Sequence, residues 1–197
     1  MAKLKPIFFW KANVEIEVKN MGIKAYTYRG KEGKRDIDII DKVHQSWIKE
    51  DNIFIDSGKR LKGWLKECEK STRDLQLQYG ISINGETKIT LDKLKGIQYN
   101  PDENRLVIND ELPFPFQEAF SSDKGQYVIS YYYEIQEPII HKVTINSMAR
   151  KFPSDTAKEM LQLMGNVVGI GDGHSARGTG KFELINFEVT ENKELSL

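Results

Sequence analysis

Between Ser57 and Tyr79, Leu61, Trp64, Leu65, Cys68, Thr72 and Leu75 recur at intervals of three and four residues and draw a single apolar stripe along one predicted helix. Ser57 reads as its N-cap and Gly80 as its stop. A long helix with one apolar side needs a flat apolar partner, and the rest of the chain supplies strands. Ile7 to Val18 opens with Ile7, Phe8, Phe9 and Trp10, then alternates Val14, Ile16 and Val18 with Glu15 and Glu17. Ile81 to Asn109 holds strand-like pieces (ISI, TKIT and RLVIN), separated by Gly85 and by Asn100-Pro101. Leu112 to Gly125 reads as a packed irregular connection around Pro113 and Pro115, and Tyr127 to Ile145 as one long strand or hairpin interrupted at Pro138. Ser154 to Met164 is a second helix, with Ser154 as N-cap and Ala157, Met160, Leu161 and Met164 inward, and Phe182 to Val189 is a closing strand.

This order predicts an α+β protein of the βαββαβ, ferredoxin-like (RRM-like) arrangement. It forms a single domain over residues 1–197, with insertions at about 19–56 and 81–125. The first insertion, Lys19 to Asp56, shows no clear period outside a short helix or strand around Ile37 to Ile48. A stretch of that length is usually a functional loop or is ordered by a partner. Cys68 is the only cysteine, which excludes a disulfide framework and favours a reducing, cytoplasmic setting. No apolar run approaches the roughly 18 residues of a membrane span. The basic, briefly apolar start resumes charge at Lys11 and Glu15, so no signal peptide is expected.

The formal charge is zero, from 29 basic and 29 acidic residues, but the two signs are not mixed. Residues 1–80 carry 17 basic and 12 acidic side chains, and residues 81–197 carry 12 and 17. The basic excess gathers in Lys19–Arg35 (Lys19, Lys24, Arg29, Lys31, Lys34, Arg35) and in Ser57–Arg73 (Lys59, Arg60, Lys62, Lys66, Lys70, Arg73). A locally basic surface binds phosphates whatever the total charge, although charge runs also serve plain solvation.

Six of the fifteen glycines lie between Gly165 and Gly180: Gly165, Gly169, Gly171, Gly173, Gly178 and Gly180. A loop of this kind exposes consecutive N–H groups to an anion, or else lets the last helix pack tightly on the sheet. His174, Ser175, Arg177 and Lys181 add side-chain donors. A dinucleotide fingerprint follows a strand and opens a helix, whereas this loop follows a helix and opens a strand; there is also no G-K-[ST].

The segment GIGDGHSARGTGKFEL resembles the C-terminal glycine-rich loop of the repeat-associated mysterious protein (RAMP) superfamily, the ferredoxin-like RNA binders of CRISPR antiviral defence. FIDSGKRLKGWLKECEK, Phe54 to Lys70, resembles that superfamily's turn into a helix beginning Leu-Lys-Gly, here Leu61-Lys62-Gly63. Asp56-Ser57-Gly58-Lys59 departs from the family's usual Pro-Gly-Ser-Ser. Size and single domain are most similar to the backbone subunit of CRISPR effectors, or to a phage or viral relative of it.

That resemblance implies a palm with a thumb-like loop at Lys19–Ile53, and copies stacked head to tail along a single-stranded guide RNA in a ribonucleoprotein, with other CRISPR effector subunits as further candidate partners. The implied RNA-binding residues are Arg29, Lys31, Lys34, Arg35, Ser57, Lys59, Arg60, Lys62, Lys66, Gly169, Gly171, Gly173, His174, Ser175, Arg177, Gly178, Gly180 and Lys181. Tyr26, Tyr28, Trp47 and Tyr131 to Tyr133 are stacking candidates; for the last three, sheet packing is the competing reading, and Trp64 belongs to the core. No residue pattern pairs a nucleophile with a base, and no metal or cofactor site follows. Some backbone subunits cut RNA with a thumb-loop aspartate, for which Asp36, Asp38 and Asp41 are the positions here. The alternatives are a guide-processing endoribonuclease using His44, a single-stranded DNA-binding or decoy (anti-CRISPR) subunit, and a structural assembly protein.

Overall fold

The computed structural model describes residues 9–30, 53–108, 114–117, 127–135, 137–148, 152–172 and 178–193, with side chains omitted at 25–30, 114–117 and 127–129. Its elements run β1 (Trp10–Val18), β2 (Gly22–Gly30), β3 (Ile53–Asp56), α1 (Lys59–Tyr79), α2 (Leu91–Lys95), β4 (Ile97–Pro101), β5 (Asn104–Val107), β6 (Phe114–Gln117), β7 (Tyr127–Glu134), β8 (Ile139–Ser147), α3 (Ser154–Leu163) and β9 (Phe182–Asn192). A π-helical turn, Met164–Val168, extends α3.

Alternation in β1 decides the layering. Trp10, Ala12, Val14, Ile16 and Val18 are buried, while Lys11, Asn13, Glu15 and Glu17 face the other way. β1 pairs antiparallel with both β8 and β9, and β4 closes the far side of β8, giving the order β4-β8-β1-β9. β4 therefore runs parallel to β1 with β8 between them, and β9 runs parallel to β8 with β1 between them. α1 makes the first crossing and α3 the second. The apolar stripe of α1 (Leu61, Trp64, Leu65, Cys68) and that of α3 (Ala157, Met160, Leu161) join the inward residues of the sheet in one core. The protein is thus a mixed α+β structure on a mainly antiparallel sheet.

Gly80, with φ 66°, ends α1 as expected, its N–H donating to the Gln76 carbonyl. Both expected serine caps are displaced by one residue. Gly58 occupies the N-cap of α1 and Pro153 that of α3, and neither Ser57 nor Ser154 caps its helix. A proline fits there because its fixed φ suits the entry and the groups at a helix start lack intrahelical partners in any case.

The two insertions are not independent excursions. Gly22–Gly30, expected as part of an unpatterned loop, is β2, and it pairs with β7. β6, inside the connection expected to be irregular, lies on the other side of β7. β3 and β5 form a separate two-stranded ribbon. Tyr127 to Ile145 is consequently not one hairpin: β7 belongs to the β2-β7-β6 sheet and β8 to the main sheet. Within Ile81–Asn109 the expected strand TKIT is irregular. The side chain of Gln76 holds that segment to α1 by accepting from the Ile89 N–H (3.0 Å) and donating to the Glu86 carbonyl (2.7 Å), which places Ile89 in the core. The strand that joins the main sheet is instead Ile97–Pro101. No helix among the described residues is long and apolar enough to cross a membrane.

Two titratable groups are buried in this core with opposite consequences. Burial pushes the Glu69 carboxyl from its ordinary 4.5 up to about 7, opposed by Lys66 at 2.9 Å. Burial also lowers His141 from 6.5 to about 4; its Nδ1 lies 3.3 Å from the Asn104 amide nitrogen, and its Nε2 has no hydrogen-bond partner among the described residues. Folded Glu69 holds a proton that the unfolded chain has released, so its contribution is complete below pH 4.5 and is lost as pH rises to about 7. Folded His141 resists a proton that the unfolded chain accepts, so its contribution is complete above pH 6.5 and is lost as pH falls toward 4. In the shared window the two oppose each other. Relative to wild type, Glu69→Gln is expected to lose stability more steeply on acidification, and His141→Phe more steeply as pH rises toward 7. Each slope difference is on the order of 1.4 kcal/mol per pH unit. Urea unfolding in steps of pH measures both, and curves parallel to wild type contradict the assignment.

Candidate nucleic-acid interface

α1 begins at a crowded turn. The buried Asp56 carboxylate accepts the Gly58 N–H at 3.1 Å. Gly58 has φ 80°, and a Cβ there would lie 2.6 Å from the Pro101 carbonyl oxygen, so both its conformation and its surroundings call for glycine. The basic residues that follow divide into two groups. Lys59 and Lys62 are exposed on the first turns. Arg60 lies over the Phe54 ring (5.1 Å to the centroid) and 3.8 Å from Asp172 Oδ2, and burial lowers its pKa against the pull of Asp172 and Asp56. Lys66 donates to the Leu94 carbonyl (3.0 Å), pairs with Glu69 and sits 5.2 Å from the centre of the Tyr99 ring. These contacts give Arg60 and Lys66 work inside the fold, whereas Lys59 and Lys62 face solvent. Gly63 follows them on the exposed side with no heavy atom of the described residues within 4 Å of where a Cβ would sit.

The stem of the glycine loop is a backbone crossing. Ile170 N–H donates to the Gly180 carbonyl (2.8 Å), Gly180 N–H to Asn20 (3.2 Å), Lys19 N–H to Lys181 (3.2 Å) and Asp172 N–H to Gly22 (2.9 Å). The stem is thereby laced to the β1–β2 turn. Sterics account for four of the six clustered glycines. A Cβ on Gly165 would lie 2.1 Å from the Phe182 carbonyl oxygen, one on Gly180 1.7 Å from that of Ile170, and one on Gly169 2.8 Å from that of Gly180. A Cβ on Gly171 would meet the Met21 side chain at 2.6 Å. Gly178 has open space around it but a φ of 67°. The tight-packing reading thus explains the stem, while Gly173, His174, Ser175 and Arg177 lie outside the described residues.

The structure brings the stem and the start of α1 together. Asp172 Oδ1 accepts the Trp64 indole N–H at 3.0 Å. Further along the helix, an open groove of about 440 Å³ runs between Ser71, Asp74, Leu75 and Gln78 on one side and Val167, Val168, Gly178 and Lys181 on the other. The Lys181 ammonium donates to the Val167 carbonyl at the edge of that groove. Asp172 was missed by the sequence reading, although it is the one acidic residue between Gly165 and Lys181 and so the natural acceptor there. Trp64 is core as expected, with the addition that its polar edge finds a partner.

The opposite face of the main sheet has a different character. Glu15, Glu17, Glu183, Glu188 and Glu191 lie there with Lys11 and Lys142, and ion pairs such as Lys142–Glu15 (3.6 Å) and Lys19–Glu183 (3.2 Å) tie up the cations. The neighbouring carboxylates of Glu183 and Glu17 raise the pKa of Lys19. Among the described residues this face presents no aromatic ring, so the stacking platform of an RRM sheet is not built here. Tyr132 and Tyr133 are buried, which is the packing reading of those rings. Tyr26, Tyr28 and Arg29 lie on β2 with side chains outside the description, and Lys31, Lys34, Arg35, Asp36, Asp38, Asp41, His44 and Trp47 lie outside the described residues. The lone thiol, Cys68, is pushed by burial up to about 12, unsuited to reactivity at neutral pH.

No protein-family model matches this chain, and neither does any curated protein.

The glycine geometry predicts a graded series. Gly165→Ala and Gly180→Ala place a methyl inside a carbonyl contact and should cost more than 3 kcal/mol, about the level at which a small domain loses much of its margin. Gly178→Ala should cost about 1 kcal/mol, the strain of the left-handed region alone. Chemical denaturation of the three variants measures the order, and equal costs would refute the crossing as the reason for the cluster.

Proposed function

We propose that the chain is a ferredoxin-like palm of the RAMP type that binds single-stranded RNA along the seam between α1 and the glycine loop, without reading base sequence. The fold part of this reading is supported by the strand order β9-β1-β8-β4 with two interleaved strand–helix–strand units, the order that the ferredoxin-like arrangement requires. In this reading the sheet β2-β7-β6, in which a strand from each insertion flanks β7, is the counterpart of the thumb-like extension.

The observation that carries the binding reading is the exposed start of α1. Glycine inside a helix costs about 1 kcal/mol relative to alanine. Gly63 carries that cost with no packing neighbour to justify it among the described residues, beside the two exposed ammonium groups of Lys59 and Lys62. A bare patch between cations on a helix admits a sugar–phosphate backbone closely, and the positive end of the helix dipole adds to the attraction. Segregation of charge by face extends the reading. The acidic sheet face of one copy suits the basic helix face of the next, so that neutral subunits assemble head to tail along a strand. In this reading the protein is a cytoplasmic ribonucleoprotein subunit of antiviral defence, or a phage or viral relative of one.

Salt-titrated binding of a single-stranded RNA oligonucleotide tests it. Lys62→Glu should weaken binding about tenfold at low salt and flatten the salt dependence. Gly63→Ala should raise stability by about 1 kcal/mol and still weaken binding. An assembled protein that binds no RNA at low salt, or a Gly63→Ala variant that binds undiminished, contradicts the assignment. Competition with single-stranded DNA of the same sequence tells RNA from DNA preference.

A further inference from the structure

The partners of Asp172 at the loop stem come from two elements, β2 and α1. Its N–H donates to the Gly22 carbonyl at 2.9 Å. Its Oδ2 accepts the Lys24 N–H at 2.8 Å, and its Oδ1 accepts the Trp64 indole N–H at 3.0 Å. Arg60, one helical turn before Trp64, approaches Oδ2 at 3.8 Å. A backbone N–H, an indole N–H and a guanidinium converging on two oxygens make the donor set of an anion site. Here the chain fills that site with its own carboxylate. Two consequences follow from the placement. The carboxylate fixes where the glycine loop leaves α1, and its negative charge lies beside a cation on the first turn of the helix assigned to the phosphate groove.

We propose that Asp172 is a positioning residue with an electrostatic function: it anchors the glycine loop to α1 and β2 while withholding Arg60 from the bound strand, so that Lys59 and Lys62 rather than Arg60 meet the phosphates. This inference rests on the single-stranded RNA reading of the seam. The side chains divide accordingly. Arg60 is partly buried over Phe54 and directed at Asp172, whereas Lys59 and Lys62 are exposed. Asparagine at 172 removes the charge and keeps one acceptor oxygen, for the indole N–H, while the Lys24 N–H loses its carboxylate partner; the indole resonance and the melting temperature therefore report the anchoring separately from the charge.

The test is salt-titrated binding of a fluorescent single-stranded RNA to the full chain, with the melting temperature and the Trp64 indole N–H resonance reporting the fold. Asp172→Asn is expected to steepen the slope of log K against log salt by about 0.7, the increment for one further phosphate contact on a single strand. Affinity at low salt should rise several-fold. Arg60→Gln alone should leave the wild-type slope unchanged, and in the double variant the gain should vanish. Weaker binding by Asp172→Asn at an unchanged slope, or a gain that survives without Arg60, overturns the proposal in favour of a purely structural carboxylate. Should Asp172→Asn fail to fold, Arg60→Gln decides the matter. A slope unchanged from wild type upholds the proposal, and a slope flattened as much as that of Lys62→Gln shows Arg60 already on the phosphates and overturns it. Failure of the wild type to bind RNA is seen before any variant is compared, and it removes the underlying reading as well.

Discussion

The close crossing of backbones at the stem of the glycine loop is the constraint on which the rest of the molecule depends. Ile170, Gly180, Asn20 and Gly22 meet main chain to main chain, at distances where a Cβ on Gly180 would lie inside a carbonyl oxygen. Peptide groups brought this close satisfy one another only in a single register. That register fixes where β9 starts against the end of β1, through the pairing of Val18 with Phe182. It also obliges the chain after α3 to turn sharply, which it does through a π-helical turn in which Gly165 lies against Phe182. The entropic cost of so many glycines is thereby offset by a geometry that no other residue permits.

From that crossing the face proposed to bind the strand is built outward. Asp172 leaves the stem and reaches the side of α1, so the loop and the helix present one surface. The sheet separates this surface from an acidic face on its other side. The neutral total charge therefore hides two opposed surfaces, and the distribution bears on partners where the total does not. Inside the core, burial keeps His141 neutral near physiological pH and raises Glu69 to about 7, where it faces Lys66 within the fold, so the charge available to a partner is carried at the surface.

Much of the fold was legible because it is written in local periods. The stripe of α1, the alternation of β1 and the body of α3 all appear in the sequence as repeats of 3.6 or 2, whereas β9 pairs with β1 through two register shifts that no period announces. What was not legible depends on distant partners. β2 carries Lys24 and Arg29 among its residues and reads as a charged loop until β7 lies beside it. TKIT has the better strand composition than IQYNP, yet Gln76 fixes Ile89 as a core plug and the hydrogen bonds of β8 go to Ile97–Pro101. Tyr127 to Ile145 reads as one hairpin because nothing local says that its two halves enter different sheets. In the site, the meeting of loop and helix runs through Asp172 and Trp64, which lie 108 residues apart. The division of the glycines into sterically required and open positions was not legible either, since it turns on contacts with Phe182, Ile170 and Met21. Arg60 and Lys66 looked equivalent to Lys59 and Lys62 for the same reason: the Asp172 carboxylate beside Arg60 and the Tyr99 ring beside Lys66 lie far along the chain.

The central claim is spatial: a single strand runs along α1 and the glycine loop, not across the sheet. Photo-crosslinking of the assembled protein to a 4-thiouridine-substituted RNA, followed by peptide mapping, tests it directly. The account predicts adducts in the peptides that contain Lys59 to Trp64 and Gly171 to Lys181. Adducts confined to the open sheet face, on the peptides of β1, β8 and β9, would contradict it.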